Sequence, residues 1–418
     1  MKKYLVGGAV RDELLGKEPK DYDYVVVGSS IDEMLLNGYK QVGKEFPVFL
    51  DNNGNEIALA RKDYKIGDKH TDFKFEFSPN VTLDEDLKRR DITINSMAKD
   101  LETGEIIDPY GGQESLGKRL LEITDKEHFD EDPLRILRVA RQSAQLDFDA
   151  TDETIEIMSN MVKNGMLNHL TPERVWKETE KALSKGYNSK KYFEVLNECG
   201  ALEVLFPELY ALTKSKEQIK YHNSGNSYKH TMIALDRVKD EDLMIKFATC
   251  VHDLGKGNTP EDILPKHSGH DERGVKLIDE MCDRIKIPNK YREFAKLFCK
   301  EHMRIAKLID MKLSKQYDII YEISDKFKDE EKMEAFLKCF YADFFGEEIL
   351  SEYSNPKFYD EICTQIRKIF NIMHNITIKD LDSSVINSLS RFKGEKFGLI
   401  YRESMINYLR QKINKTID

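Results

Sequence analysis

Two stretches of this chain carry residue types at spacings that can do chemistry. In the first, Asp21 and Asp23 flank one tyrosine just ahead of the apolar run Val25-Val26-Val27. On a strand, residues i and i+2 share a face, about 6.6 Å apart along the chain. Carboxylates so placed can share Mg2+ ions that activate an attacking hydroxyl and stabilise a leaving pyrophosphate. The plain alternative is the polar face of an edge strand, but carboxylates are disfavoured in strand interiors. Upstream, Gly7-Gly8-Ala9-Val10-Arg11-Asp12 follows the apolar Tyr4-Leu5-Val6. This reads as a strand, a glycine turn and a helix start. There backbone N–H groups and the helix dipole favour a triphosphate, and Arg11 can grip phosphate with two N–H groups. A tight turn explains the glycines equally well; the carboxylate pair at this distance makes the combination specific.

The second stretch is rich in histidine. Six of the ten histidines fall between His222 and His302, with His252-Asp253 inside Thr249-Cys250-Val251-His252-Asp253-Leu254-Gly255-Lys256-Gly257. A lone helical histidine is more often structural than a ligand. Here His230, His252-Asp253 and the later Asp343 make a nitrogen and oxygen donor set suited to Mg2+, Mn2+, Ni2+ or Co2+.

The elements that must position these groups change character along the chain. Strand signals crowd the first ~110 residues: Tyr4–Val6, Tyr22–Val27, Pro47–Leu50, Glu56–Ala60, Phe73–Phe77 and Ile106-Ile107. From Asp130 onward the pattern is helical almost throughout. Asp132-Pro133 and Thr171-Pro172 each pair a capping residue with proline at the first helical position. Polar residues around Gly225 suggest a boundary, and Leu381 to Leu409 reads as helical packing. The expected class is therefore α+β: a mixed-sheet head followed by all-α domains.

Composition bounds the reading. The 418 residues imply two to four domains, and 40% hydrophobic with 33% charged residues describes a folded globular protein. No apolar run approaches the ~18 residues that span a bilayer. Arg11, Asp12 and Glu13 interrupt the apolar start too early for a signal peptide. The expectation is a cytoplasmic protein with no membrane partner. Six cysteines without a CxxC pair read as reduced, packed thiols, not a disulfide frame or zinc site. The net charge of −10 is a poor overall match to a nucleic-acid binder, so any such interface must be a local basic region, as at Lys88-Arg89-Arg90 with Arg135, Arg138 and Arg141.

The first part resembles the class II tRNA nucleotidyltransferases, the CCA-adding enzymes, which share a head with bacterial poly(A) polymerases. The likeness rests on Gly7–Asp12, Asp21-Tyr22-Asp23, Arg89-Arg90-Asp91-Ile92-Thr93-Ile94-Asn95-Ser96-Met97-Ala98, Asp108-Pro109-Tyr110-Gly111-Gly112 and Glu131-Asp132-Pro133-Leu134-Arg135, in the family's order, and runs on through Thr171 to Leu183. It implies a polymerase-beta-type nucleotidyltransferase head with Asp21 and Asp23 as catalytic, Mg2+-holding residues. Gly8 and Arg11 would bind the triphosphate of ATP or CTP. Arg90 and Asp91 would contact sugar and phosphates, with Asp91 able to accept from a ribose 2′-OH. Asp132 and Arg135 would read the base, one as an acceptor and one as a fork of donors, and Arg138 could reach the phosphates.

The histidine stretch resembles the HD phosphohydrolase superfamily. The resemblance implies that His230, His252, Asp253 and Asp343 hold a divalent transition metal such as Ni2+, Mn2+ or Co2+. Lys256, His267, His270 and His302 would be phosphate contacts, with His267 and His270 open to a second metal as well. Bacterial CCA-adding enzymes carrying such a module resemble this chain over most of its length. The implied domains are a head (1–138), a helical tRNA-binding neck (139–225), an HD domain (226–345) and a C-terminal helical region (346–418). In the neck, Arg174, Lys177, Lys181 and Lys185 at helical spacing could meet phosphates or form a solvated stripe. The implied activity is CCA addition to the tRNA acceptor stem from CTP and ATP, with phosphatase, 2′-nucleotidase and 2′,3′-cyclic phosphodiesterase activity in the HD module. The chain would act as a monomer or homodimer. The alternatives are a poly(A) polymerase, a CC- or A-adding specialist, and a phosphohydrolase whose head is a tRNA-binding platform. Base choice in a specialist would turn on a flexible loop between Asp51 and Thr82.

Overall fold

The computed structural model describes residues 1–42, 47–51, 54–65, 73–215, 225–346, 355–376, 380–381, 383, 386, 391 and 393–414. The chain divides into two compact units, Met1–Pro207 and Glu208–Asp418.

The first unit is α+β. Its strands are β1 (Lys2–Val6), β2 (Asp23–Val27), β3 (Lys40–Val42), β4 (Val48–Leu50), β5 (Glu56–Leu59), β6 (Lys62–Lys65), β7 (Phe73–Glu76), β8 (Ala98–Asp100), β9 (Ile106–Ile107), β10 (Leu120–Leu121) and β11 (Asp149–Ala150). Seven form one mixed sheet in the order β3-β4-β5-β2-β1-β8-β9. β1 lies between β2 and β8 and is antiparallel to both, while β2 and β5 run parallel. Alternation along the strands buries one face against α1 (Gly8–Leu14), where Leu5, Ala9, Val10 and Met97 pack together. The other face buries Tyr4, Val6, Val25 and Ala98 with Leu87 of α2 (Leu83–Lys88).

Three differences from the sequence reading bear on function. The strand predicted from Tyr22 begins at Asp23, so Asp21 precedes it and the two carboxylates do not share a strand face. The reason lies in the register: Asp23 pairs with Val6, the last residue of β1, and the chain turns at Gly7, leaving Asp21 no ladder partner. The helical region also holds one short strand, β11, which pairs in parallel with β10. Within the segment expected to carry the flexible loop, β5 is part of the main sheet and β6 and β7 form an antiparallel pair; residues 52–53 and 66–72 lie outside the described residues. Helices α3 (Leu134–Leu146), α4 (Pro172–Lys185) and α5 (Lys190–Glu198) pack together with Leu137, Ala140, Trp176, Leu183 and Tyr192 buried.

The second unit is all-α among its described residues. Its main helices are α6 (Ser227–Arg237), α7 (Leu243–Val251), α8 (His270–Ile285), α9 (Asn289–Ile305), α10 (Leu313–Ile323), α11 (Glu330–Phe344), α12 (Pro356–His374) and α13 (Gly394–Asn414). α7 is apolar on nearly every side and is enclosed by α6, α9 and α11. Part of the expected helical tail, including residues 387–390, and His222 lie outside the described residues. All six cysteines are free and buried. Among the described residues, no helix is long and apolar enough to cross a membrane.

Candidate active sites

In the first unit the turn after β1 positions the site. Gly7 has φ +71°, and a Cβ there would lie 2.9 Å from the Arg90 guanidinium, so both backbone and neighbour require glycine. Gly8 opens α1. Arg11, one turn later, is buried and donates to Asn95 Oδ1 (2.9 Å), Gln142 Oε1 (3.4 Å) and Asp12 Oδ1 (2.7 and 2.9 Å). Arg90 donates to Asp86 Oδ2 (3.1 Å) and to the Asn95 carbonyl (3.5 Å). Its Nε is buried without a hydrogen-bond partner.

Asp86 organises this side of the site. Burial would raise its carboxyl pKa, but the Arg89 and Arg90 guanidiniums, at 2.6 and 3.1 Å, outweigh it and hold it below the usual range. Asp91 behaves similarly. It is buried, yet Arg138 at 2.7 Å, with Arg141 and Arg135 beyond, keeps it ionised far below an ordinary aspartate. Its other oxygen accepts from the Ile92 amide (3.0 Å) and Asn95 Nδ2 (3.5 Å). Asp132 is extended just before α3 and accepts from the Leu134 amide at 3.0 Å, as a cap does. Arg174 of α4 grips the same carboxylate at 3.0 Å. Arg135 donates to the carbonyls of His128 (2.7 Å) and Arg89 (3.0 Å).

Asp21 and Asp23 are the contrast. Both are exposed, and their carboxylates make no hydrogen bond or ion pair among the described residues. The register sets Asp23 opposite Val6, one residue from the Gly7 turn. Carboxylates free of protein partners, one of them next to the Gly7 turn, fit Mg2+, which is usually held by one or two carboxylates and the phosphates of a substrate. Sequence reasoning missed Asp86, Asn95, Gln142 and the Arg174–Asp132 pair. The spacing of Asp86, three and four residues before Arg89 and Arg90, was a signal for the first; the others depend on contacts between segments distant in sequence.

In the second unit, His230 of α6, His252-Asp253 at the end of α7 and Asp343 of α11 converge. Asp343 Oδ1 lies 3.1 Å from His230 Nε2 and 3.2 Å from His252 Nε2. Asp253 Oδ2 lies 3.4 Å from His252 Nε2 and 3.8 Å from His230 Nε2. Its other oxygen, Oδ1, lies 3.3 Å from His270 Nε2 and 3.6 Å from His302 Nε2. Lys256 places its ammonium 2.8 Å from Oδ2. His267 is buried and bonded through Nδ1 to Thr259 Oγ1 (2.7 Å), which Arg273 also contacts at 3.0 Å.

The imidazoles are preset as ligands. His252, His270 and His302 each meet the backbone carbonyl three residues earlier through Nδ1, at 2.7, 3.0 and 2.7 Å. A carbonyl only accepts, so Nδ1 carries the hydrogen and Nε2 is turned toward the carboxylates. Both Asp253 oxygens and His252 Nε2 are buried without a hydrogen bond of good geometry. Nε2-to-oxygen separations of 3.1 to 3.8 Å resemble the edges of a coordination shell with bonds of about 2.1 Å. The donor set therefore fits a divalent ion. Burial would raise Asp253 and Asp343, but Lys256 and His252 for the first, and His252 and His230 for the second, hold both well below the usual range. Gly346, after α11, is a residue the sequence reading passed over: a Cβ there would come within 2.6 Å of the His230 ring. A further group of possible ligands, Asp125, Glu127 and His128, is a surface turn whose Asp125 carboxylate already accepts from the Glu127 amide (3.2 Å) and meets His128 Nδ1 (2.8 Å).

Comparison with known proteins gives family matches within the first 212 residues and relatives over nearly the whole chain. Residues 3–122 match a family model described as "Poly A polymerase head domain", and residues 147–212 match "Probable RNA and SrmB- binding site of polymerase A". The multifunctional CCA protein of Shewanella denitrificans is 43% identical over 401 residues, covering 94% of this chain and 96% of that protein. Among solved structures, an apo form of a CCA-adding enzyme aligns with TM-score 0.65 at 20% identity over 99% of this chain and 92% of its own. The Thermotoga maritima CCA-adding enzyme complexed with tRNA aligns with TM-score 0.59 at 19% identity, over 99% and 91%. At these identities the solved structures establish the fold alone.

Proposed function

This chain belongs to the CCA-adding enzyme family, and from that premise we propose that it adds C, C and A to the 3′ end of tRNA using CTP and ATP. The observation that carries the reading is the exposed pair of unpartnered carboxylates, Asp21 and Asp23, with Asp23 in register next to the Gly7–Gly8 turn that Arg11 and Arg90 border. Asp21 and Asp23 would hold Mg2+, which when bound supplies charge neutralisation and Lewis acidity at the reacting phosphate. The amides around Gly8, with Arg11 and Arg90, face the triphosphate. Asp91, held by Arg138, would accept from the ribose. Asp132, fixed by Arg174, and Arg135 present an acceptor and donors to the Watson–Crick edge, so that C and A are chosen by protein groups. The 3′ oxygen of tRNA bonds to the α-phosphorus, the bond to the bridging oxygen breaks, pyrophosphate leaves, and the hydroxyl proton is released. Arginines of the site keep the departing charge stabilised. The test is incubation of tRNA lacking its 3′ end with CTP and ATP, together and separately, with sequencing of the products. Ordered C, C, A addition is expected. Long A tails would favour a poly(A) polymerase, and addition of only CC or only A would mark a specialist.

A second activity has its own observation, the buried convergence of His230, His252, Asp253 and Asp343. We infer an HD-type phosphohydrolase site there, acting on phosphomonoesters and 2′,3′-cyclic phosphates at tRNA ends. A divalent ion in this donor set would lower the pKa of bound water and polarise the phosphoryl group. Lys256 and His267 lie where a phosphate could be gripped. Water oxygen bonds to phosphorus, the P–O ester bond breaks, and the proton passes to the leaving oxygen. Removing such phosphates exposes the hydroxyl that nucleotide addition needs. Hydrolysis of a 2′,3′-cyclic nucleotide by the metal-loaded protein is expected. No hydrolysis with Ni2+, Mn2+, Co2+ or Mg2+ would overturn the phosphohydrolase reading of this site.

A further inference from the structure

We propose that Asn95 couples triphosphate binding to sugar selection, as a positioning residue whose side-chain oxygen holds Arg11 and whose side-chain nitrogen holds Asp91. This deepens the nucleotide-addition reading and rests on it.

Asn95 ends the one-turn 3-10 helix Thr93–Asn95 and is buried. Its Oδ1 accepts from Arg11 Nη1 at 2.9 Å, and its Nδ2 donates to Asp91 Oδ1 at 3.5 Å. Its main-chain carbonyl accepts from Arg90 Nη1 at 3.5 Å and lies 3.8 Å from where a Cβ on Gly7 would stand. Its own amide donates to the Ile92 carbonyl at 3.0 Å, which fixes the residue in place. One neutral residue thus touches three groups expected to meet the incoming nucleotide: Arg11, Arg90 and Asp91.

The position requires an amide. A guanidinium only donates and a carboxylate only accepts, so a side chain serving both must offer one group of each kind. Asparagine does so without a charge, and its two partners fix which way the amide points. An aspartate here would pair with Arg11 and repel Asp91; a leucine would serve neither. At one end the amide completes a clamp. Asp12 takes Arg11 Nε and Nη2, while Asn95 and Gln142 take Nη1, so the guanidinium is oriented before a triphosphate arrives. At the other end Asp91 is held on both oxygens, by Arg138 on Oδ2 and by the Ile92 amide and Asn95 on Oδ1. A carboxylate that cannot turn away leaves an acceptor unpaired when the sugar lacks its 2′-hydroxyl, and that penalty is what rejects the deoxy sugar. Because one amide holds both groups, losing it should weaken phosphate grip and sugar choice together.

The experiment follows addition of one C by the full-length protein to tRNA that ends before its CCA, from CTP and from 2′-deoxy-CTP, with Mg2+ present. KM for CTP, KM for tRNA and the ratio of kcat/KM for the two nucleotides are compared between the parent and Asn95→Leu. In the variant, KM for CTP is expected to rise and the preference for CTP over its 2′-deoxy form to fall, each by about tenfold or more, the scale of a lost hydrogen bond to a charged group. KM for tRNA should stay at the parental value. A change in only one of the two nucleotide readouts overturns the coupling, leaving Asn95 to serve one partner. Parental values for both overturn the proposal outright. A matching rise in KM for tRNA overturns it in favour of a structural role. If Asn95→Leu does not fold, by circular dichroism, Asn95→Ala is judged by the same outcomes. The parent separates this inference from the reading beneath it. No addition from either nucleotide would sink nucleotide addition itself, whereas addition with no preference between them leaves that activity standing and overturns the role of Asn95.

Discussion

Among the acidic residues of the first unit, partnering separates chemistry from architecture. Asp86, Asp91 and Asp132 are each held by at least one arginine, whereas Asp21 and Asp23 are exposed and free of partners. Removing a free carboxylate should cost function without stability. Asp21→Ala and Asp23→Ala are expected to lose nucleotide addition, by about 10³-fold or more given what metal neutralisation contributes, with an unchanged melting temperature. Normal incorporation with Mg2+ in both variants would remove them from the site. Arg135 tests base reading in the same unit. Arg135→Ala should lose about 1–3 kcal/mol of discrimination among the four nucleotides while triphosphate affinity changes less. Retained selectivity for C and A would place base reading elsewhere.

At the scale of elements, what matters is how segments far apart in sequence are tied. Asp86 near the end of α2 anchors Arg89 and Arg90, and Arg90 in turn lies over Gly7 at the start of α1. Removing one partner from a buried ionic cluster costs roughly 3–5 kcal/mol, so Asp86→Ala should lower the melting temperature of the first unit and abolish addition together. A variant that melts like the parent would show that the cluster is not structural. The same cluster sets an acid limit. Asp86 and Asp91 have folded values depressed below the ordinary aspartate range. Their stabilisation is therefore present above about pH 4, the unfolded value, and is lost as pH falls toward the folded values. Acid unfolding monitored by circular dichroism should be weaker in its pH dependence in Asp91→Asn than in the parent. In the second unit, Gly346 ends the segment that delivers Asp343. Gly346→Ala should push on the His230 ring and reduce bound metal more than helix content; unchanged metal binding would show that the ring has room to move.

For the whole molecule, the two candidate chemistries fall in separate units, Met1–Pro207 and Glu208–Asp418. Each site is built from residues of its own unit, so the activities should be separable by mutation. His252→Ala and Asp253→Ala are expected to lose hydrolysis of 2′,3′-cyclic nucleotide and keep C and A addition. Joint loss of both activities, in a protein with parental helix content, would show that the sites depend on each other.

The sequence by itself carried whatever depends on local order. Gly7–Asp12, the Asp21-Tyr22-Asp23 triplet and His252-Asp253 were legible because each is a short run whose backbone turn and side-chain types act together. The change from strand-rich to helical was legible in periodicity, and the family in the order of its motifs. Tertiary structure decided the rest. Asp21 fell off the strand because β1 ends at Val6, which no feature near Asp21 announces. The pairing of Asp91 with Arg138 and of Asp132 with Arg174 joins residues more than forty positions apart. Asp253 alone shows no preference for one set of histidines. Only the packing of α6, α7, α8, α9 and α11 turns its two oxygens to opposite sides, because a buried carboxylate takes its neighbours from whichever helices close around it and not from its own segment.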